Sequence, residues 1–137
     1  MRFLPIGPRT LLAELADLDE TLALFDALNA DPIAGVAEII PAARTLMIRT
    51  APGIAADGRL AAEVMARKPA PGTAPAARAM ETVELPVIYD GEDLADVARL
   101  MDLTVPEVIA AHQATTWQVA FCGFAPGFAY MTCDDAR

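Results

Sequence analysis

Apolar and polar positions alternate at a period of two over residues 9–15, with Leu11, Ala13 and Leu15 on one face and Leu12 on the other. That alternation predicts a half-buried first strand. The spacing then becomes helical. Asp17 is placed to cap a helix, with Glu20 three residues on, close to a capping box. Leu18, Leu22, Phe25 and Leu28 form the apolar stripe of that helix. It must end near Asn29 and Ala30, because Asp31 precedes a proline and is pushed out of helical geometry. Gly35 leads into a short strand over residues 36–40, Pro41 turns the chain, and residues 45–49 form a second strand, so the pair reads as a hairpin. Pro52 and Gly53 break it. Residues 57–67 suit another helix with Leu60, Ala61 and Val64 inward. The predicted order β-α-β-β-α describes a small α+β domain with one helical layer.

The pattern lapses over residues 69–79, where Pro69, Pro71, Gly72 and Pro75 stand among alanines. This stretch reads as a proline-stiffened linker between a first domain, residues 1–68, and a second, residues 80–137. Beyond it Val83, Leu85, Val87 and Tyr89 alternate as a strand, with Pro86 confining that strand to an edge or a start. Asp93 caps a helix whose predicted inward stripe is Leu94, Val97, Ala98 and Met101. Thr104 and Glu107 form a capping box for the next helix, residues 105–113, with Leu103 and Val108 placed as a hydrophobic staple. Trp117, Val119 and Phe121 then alternate with Gln118, Ala120 and Cys122. This last strand breaks at Gly123 and again at Pro126 and Gly127. Proline followed by glycine suits a type II turn, in which glycine takes positive φ. Four of the chain's eight aromatic residues lie between Phe121 and Tyr130. Such a segment suits the wall of a binding cleft, and it equally suits a hairpin whose rings cap the core.

Composition narrows the function. The chain has 137 residues, enough for one domain or two very small ones. It is 55% hydrophobic, much of it alanine, and no run approaches the length of a membrane span. The N-terminus carries one early arginine and no long apolar region after it, which is not a signal peptide, so a cytoplasmic protein is expected. The net charge is −9 and Lys68 is the only lysine, an electrostatic footprint that excludes nucleic acid as a partner. The two helices over residues 93–113 resemble a helix-turn-helix, but the outer face of the second offers Glu107, Ala110, Ala111 and Gln113 and none of the lysine or arginine that a DNA reader needs. Two cysteines and one histidine fit no metal-ligand spacing, so no metal site is expected.

Few side chains carry obvious chemistry. His112, the one imidazole, reads either as a helix-end histidine facing the C-terminal dipole or as a group that orients a ligand or transfers a proton. Cys122 has no neighbouring cation to activate it and reads as a buried apolar cysteine. Arg44 and Arg49 flank the hairpin strand and read as solvated or paired with Glu38. No phosphate loop, catalytic triad order or paired-carboxylate signature occurs.

Three segments together resemble the KipI family, which includes the B component of prokaryotic 5-oxoprolinase, formerly allophanate hydrolase subunit 1. The first is Arg2-Phe3-Leu4-Pro5-Ile6-Gly7 with the strand after it. The second is Val83-Glu84-Leu85-Pro86-Val87-Ile88-Tyr89-Asp90-Gly91 with Asp93-Leu94-Ala95-Asp96-Val97-Ala98. The third is Glu107-Val108-Ile109-Ala110-Ala111-His112 with Val119-Ala120-Phe121-Cys122-Gly123-Phe124-Ala125-Pro126-Gly127-Phe128-Ala129-Tyr130, which is long and unusual.

The resemblance implies an N-terminal α+β domain followed by the beginning of a cyclophilin-like β-barrel whose cleft the glycine-broken loop would face. It implies a carboxyltransferase-type hydrolase subunit that works with a homologous C component and a separate A component to convert 5-oxoproline to glutamate. ATP and Mg2+ would be used by the full complex and no cofactor is assigned to this chain. On this resemblance Gly123, Phe124, Pro126, Gly127, Phe128 and Tyr130 would bind substrate and His112 would serve catalysis. The alternative within the family is an inhibitor that docks on a sensor histidine kinase. The family continues for several strands beyond the aromatic and glycine run. Because two strands cannot close a barrel, the expectation is a fragment, a truncated product, or a subunit whose missing strands come from an assembly.

Overall fold

The order of strands along the N-terminal half follows from where its apolar positions meet. The computed structural model of the chain describes residues 1–70, 72–73 and 81–133. Four antiparallel strands, β1 (Arg2–Gly7), β2 (Thr10–Glu14), β3 (Val36–Pro41) and β4 (Thr45–Thr50), form one sheet in the order β1-β2-β4-β3. Two helices, α1 (Leu18–Ala30) and α2 (Gly58–Ala66), complete it. The element order is therefore β-β-α-β-β-α, with one strand before the predicted β-α-β-β-α. Pro5 explains the omission. It cannot donate to a ladder, which argues against a strand unless that strand lies on an edge, and β1 is an edge strand.

Register decides which face is buried. Leu11 lies opposite Ile48 and Ala13 opposite Leu46, so these side chains share one face of the sheet. All four are buried, and with Leu15, Leu24, Leu28, Ile33, Leu60 and Val64 they form one continuous core. Both helices thus cover the same face. Of the predicted inward residues of β2 and α2, Leu11, Ala13, Leu15, Leu60 and Val64 are in that core, and Ala61 packs against it half-buried. The stripe of α1 is rotated from the predicted one: Thr21, Ala23, Leu24 and Leu28 are buried, whereas Leu18 and Leu22 are only half-buried. Thr21 can turn inward because its hydroxyl donates to the Asp17 carbonyl at 2.7 Å. On the opposite face Leu4, Leu12, Met47 and Ile40 stand in register across all four strands, half-buried apart from the exposed Ile40.

Local capping fixes the helix ends. The Asp17 carboxylate accepts the Glu20 N–H at 2.8 Å, while Glu20 reaches back to the Ala16 N–H at 2.7 Å. The Asp57 carboxylate accepts the N–H groups of Arg59 and Leu60. Arg49 pairs with Glu38 across the β3-β4 hairpin.

The second half holds α3 (Leu94–Leu100), α4 (Val105–Ala114) and a two-stranded sheet of β5 (Gln118–Cys122) and β6 (Ala129–Thr132). Residues 81–91 form no regular element. The predicted strand over Val83 to Tyr89 is thus absent, because its alternating side chains find no ladder partner among the described residues. Val83, Leu85, Val87 and Ile88 are all exposed. The inward stripe of α3 reduces to Ala98, with Leu94 half-buried and Val97 and Met101 exposed. Most of the predicted linker, Pro71 and residues 74–79, lies outside the described residues. The chain divides into two compact units, Met1–Arg78 with Ala120–Tyr130, and Ala79–Val119 with Met131–Arg137. No helix among the described residues is long and apolar enough to cross a membrane.

Candidate functional site

In the first unit, the loop between β5 and β6 is built from two consecutive tight turns. Phe128 N–H donates to the Ala125 carbonyl at 3.0 Å, which places Pro126 and Gly127 at the centre of a four-residue turn. Gly127 has φ 76°, so this is the type II turn that proline followed by glycine prescribes. Just before it, Ala125 N–H donates to the Gly123 carbonyl at 2.7 Å. A bond spanning two residues closes a γ-turn on Phe124, whose φ is 64°. The γ-turn with positive φ is rare and strained, and strain on a bulky residue marks a place where the surroundings demand that conformation.

These turns array the rings. Phe121 stacks on Tyr130 with centroids 4.7 Å apart and planes within 17°. Phe128 meets Tyr130 edge to face at 5.4 Å, and Phe124 meets Phe128 in the same manner at 5.4 Å. Gly123 lies under Tyr130, whose Cε2 would be 3.5 Å from a Cβ added there. Phe124 is 90% exposed at the tip. Gly123, Phe124, Pro126, Gly127, Phe128 and Tyr130 are thus brought together on one hairpin. Gly123 itself is not a free donor, since its N–H donates to the Phe128 carbonyl at 3.0 Å. Among the described residues no partner takes the N–H of Phe124 or Gly127. Those two amides are the ones left for a ligand oxygen.

In the second unit His112 lies in the last turn of α4. Its Nδ1 is 2.8 Å from the Tyr89 hydroxyl, and the two rings meet edge to face with centroids 5.7 Å apart. On another side the Trp117 ring lies 5.1 Å away, and its indole N–H donates to the His112 carbonyl at 3.2 Å. Sequence spacing did not reveal these partners, because Tyr89 is 23 residues upstream. The available signal was the presence of a lone imidazole among few aromatics. The helix start is anchored by Glu107, which accepts from both the N–H and the hydroxyl of Thr104 at 2.7 and 2.6 Å. Those hydrogen bonds, that of the hydroxyl first, hold the Glu107 carboxyl below its usual value.

Cys122 is exposed on β5, not buried as its apolar neighbours predicted, because alternation turns it away from the stacked Phe121. Cys122 and Cys133 are not joined. Among the described residues no three His, Cys, Asp or Glu side chains are grouped to hold a metal ion. Two concavities lie on the first unit. One, of about 360 Å³, is bordered by Asp17, Asp19, Glu20, Pro69 and Thr73. The other, of about 240 Å³, is bordered by Phe25, Asn29, Pro32 and Ile39. Neither is lined by a residue that the sequence assigned to substrate binding or catalysis, so the candidate chemistry rests with the hairpin and with His112.

Comparison with known proteins places this geometry in a class. The family model described as carboxyltransferase domain, subdomain C and D, matches residues 1–137. The chain belongs to that family, in which the KipI proteins and the B components of 5-oxoprolinase are its relatives. It is 44% identical over 52 residues to the 5-oxoprolinase B component of Bacillus subtilis (strain 168), a match covering 36% of this chain and 22% of that protein. It is 40% identical over 52 residues to the protein of the same name from Haemophilus influenzae (strain ATCC 51907 / DSM 11121 / KW20 / Rd), covering 36% of this chain and 24% of the other. The crystal structure of TTHA0988 is 31% identical with a TM-score of 0.62, over 91% of this chain and 25% of that one. The chain therefore spans about a quarter of the length of these relatives.

Proposed function

We propose that this chain is a B-type component of a cytoplasmic, ATP-dependent 5-oxoprolinase, a hydrolase complex that opens the cyclic amide of 5-oxoproline to glutamate. The observation that carries the reading is the family match over the whole of residues 1–137, alongside relatives named as the B component of 5-oxoprolinase. Its partners would be a homologous C component and a separate A component, with ATP and Mg2+ used by the assembled complex. Residues 1–68 and 80–137 are read as two domains, the second contributing to a cyclophilin-like barrel.

Within this reading the hairpin shapes the substrate cleft. The rings of Phe124, Phe128 and Tyr130 supply an apolar wall. The N–H groups of Phe124 and Gly127 face no protein acceptor among the described residues, and they donate to a carboxylate or to charge developing on the lactam oxygen. In the second unit, and by itself, His112 has Nδ1 committed to Tyr89, which leaves Nε2 to orient a ligand or carry a proton. The test is 5-oxoproline-dependent ATP hydrolysis by the assembled complex. Gly127→Val and His112→Ala should each lower it; unimpaired turnover in both would remove these residues from the site. Partner components that show no 5-oxoproline dependence with this chain would overturn the substrate.

A further inference from the structure

His112 is held on two sides. Tyr89 offers a hydroxyl 2.8 Å from Nδ1, and Trp117 ties its indole N–H to the His112 carbonyl while packing its ring 5.1 Å from the imidazole. A surface histidine needs none of this. Dipole stabilisation at the end of α4 requires only the charge and no particular ring orientation.

We propose that Tyr89 is a positioning residue for His112. Its hydroxyl donates to Nδ1, fixes the neutral ring with its hydrogen on Nε2, and so presents an N–H donor to a carbonyl or carboxylate oxygen of the substrate. The chemistry follows from the two ring nitrogens being distinct: whichever bond one makes determines what the other can do. 5-Oxoproline carries both a lactam carbonyl and a carboxylate, either of which accepts from Nε2. Trp117 limits rotation of the ring and is not involved in the choice of tautomer. The inference rests on the reading of His112 as a site residue.

The chain has one histidine, so imidazole nitrogen NMR gives a single unambiguous pattern. At a pH where the ring is neutral, Nδ1 should be the unprotonated nitrogen and Nε2 the protonated one. Tyr89→Phe keeps the ring contact and removes the hydroxyl; it should move both signals toward the tautomer mixture of free histidine. Trp117→Phe should leave the wild-type pattern. In the assembled complex Tyr89→Phe should lower kcat by at least about tenfold with KM within about twofold, since misassigned tautomers are costly to histidine chemistry. An identical imidazole pattern in wild type and Tyr89→Phe overturns the proposal. So does a wild type with its hydrogen on Nδ1, or a Tyr89→Phe complex with full turnover when His112→Ala has lost it. Full turnover in both variants overturns instead the site reading on which the proposal rests.

Discussion

Lys68 Nζ lies 2.6 Å from Glu20 Oε1, so the only lysine of the chain closes on the first turn of α1. The other oxygen of Glu20 accepts the Ala16 N–H. The Lys68 hydrogen bond first, and that of Ala16 second, hold the Glu20 carboxyl below its ordinary value of 4.5. A carboxyl whose folded pKa is depressed contributes stability that is fully present above its unfolded pKa and disappears as pH falls through the folded one. Glu20→Gln should therefore cost about 0.5–1 kcal/mol at neutral pH, the range for a partly exposed ion pair with a cap bond. The deficit should shrink as the pH falls from neutral to an acidic value below the lowered pKa of the folded carboxyl, where the wild-type side chain protonates. Urea unfolding of both proteins at the two pH values checks this; a deficit independent of pH would contradict it.

Gly123 and Gly127 differ in what a methyl group would meet. At Gly127 there is open space but φ is 76°; at Gly123 φ is not positive and the added Cβ would make an ordinary 3.5 Å contact with Tyr130. Gly127→Ala should therefore destabilise the loop by about 1–2 kcal/mol, the cost of a left-handed residue with a side chain. Gly123→Ala should stay within about 0.5 kcal/mol. Hydrogen exchange at the Gly123 and Phe128 amides reports the difference, with exchange accelerated about 5- to 30-fold in the first variant.

Phe124 holds a positive φ without being glycine. Asparagine tolerates that region better than phenylalanine. Phe124→Asn should slow exchange at the Phe128 amide by about twofold or more while lowering 5-oxoproline-dependent turnover, on the proposed reading in which the exposed ring contacts substrate. A variant that is both less protected and fully active would refute this trade.

The core makes the largest claims on stability. Ile48 and Leu46 are fully buried on β4, and Ile48→Ala should cost about 2–5 kcal/mol. Leu100 on α3 is 80% exposed, and Leu100→Ala should stay within about 0.5 kcal/mol. Urea midpoints at constant m-value distinguish the two.

Legibility in the sequence followed the range of the interactions. The cap by Asp17, the β3-β4 hairpin and the turn at Pro126 and Gly127 are each decided within a few residues, and all could be read from spacing. β1 could not, because Pro5 signals a break unless the strand is known to lie on an edge. The alternation from Val83 to Tyr89 states which side chains share a face but not whether a neighbouring strand exists to pair with. The stripe of α1 was misplaced by a few residues because Thr21 was counted as polar, although its hydroxyl is satisfied by its own helix. At the site, the loop residues announced themselves as a motif, whereas the clasp of Tyr89 on His112 joins residues far apart in the chain and only the folded backbone brings them together.

The packing of Trp117 against His112 has a practical consequence. The chain contains a single tryptophan and a single histidine, and their rings are 5.1 Å apart. An indole this close to an imidazole is quenched to a degree that depends on the charge and orientation of its neighbour. Tryptophan emission from the unlabelled protein is thus an optical readout of one histidine, available in any buffer and in any assembly whose other components lack tryptophan.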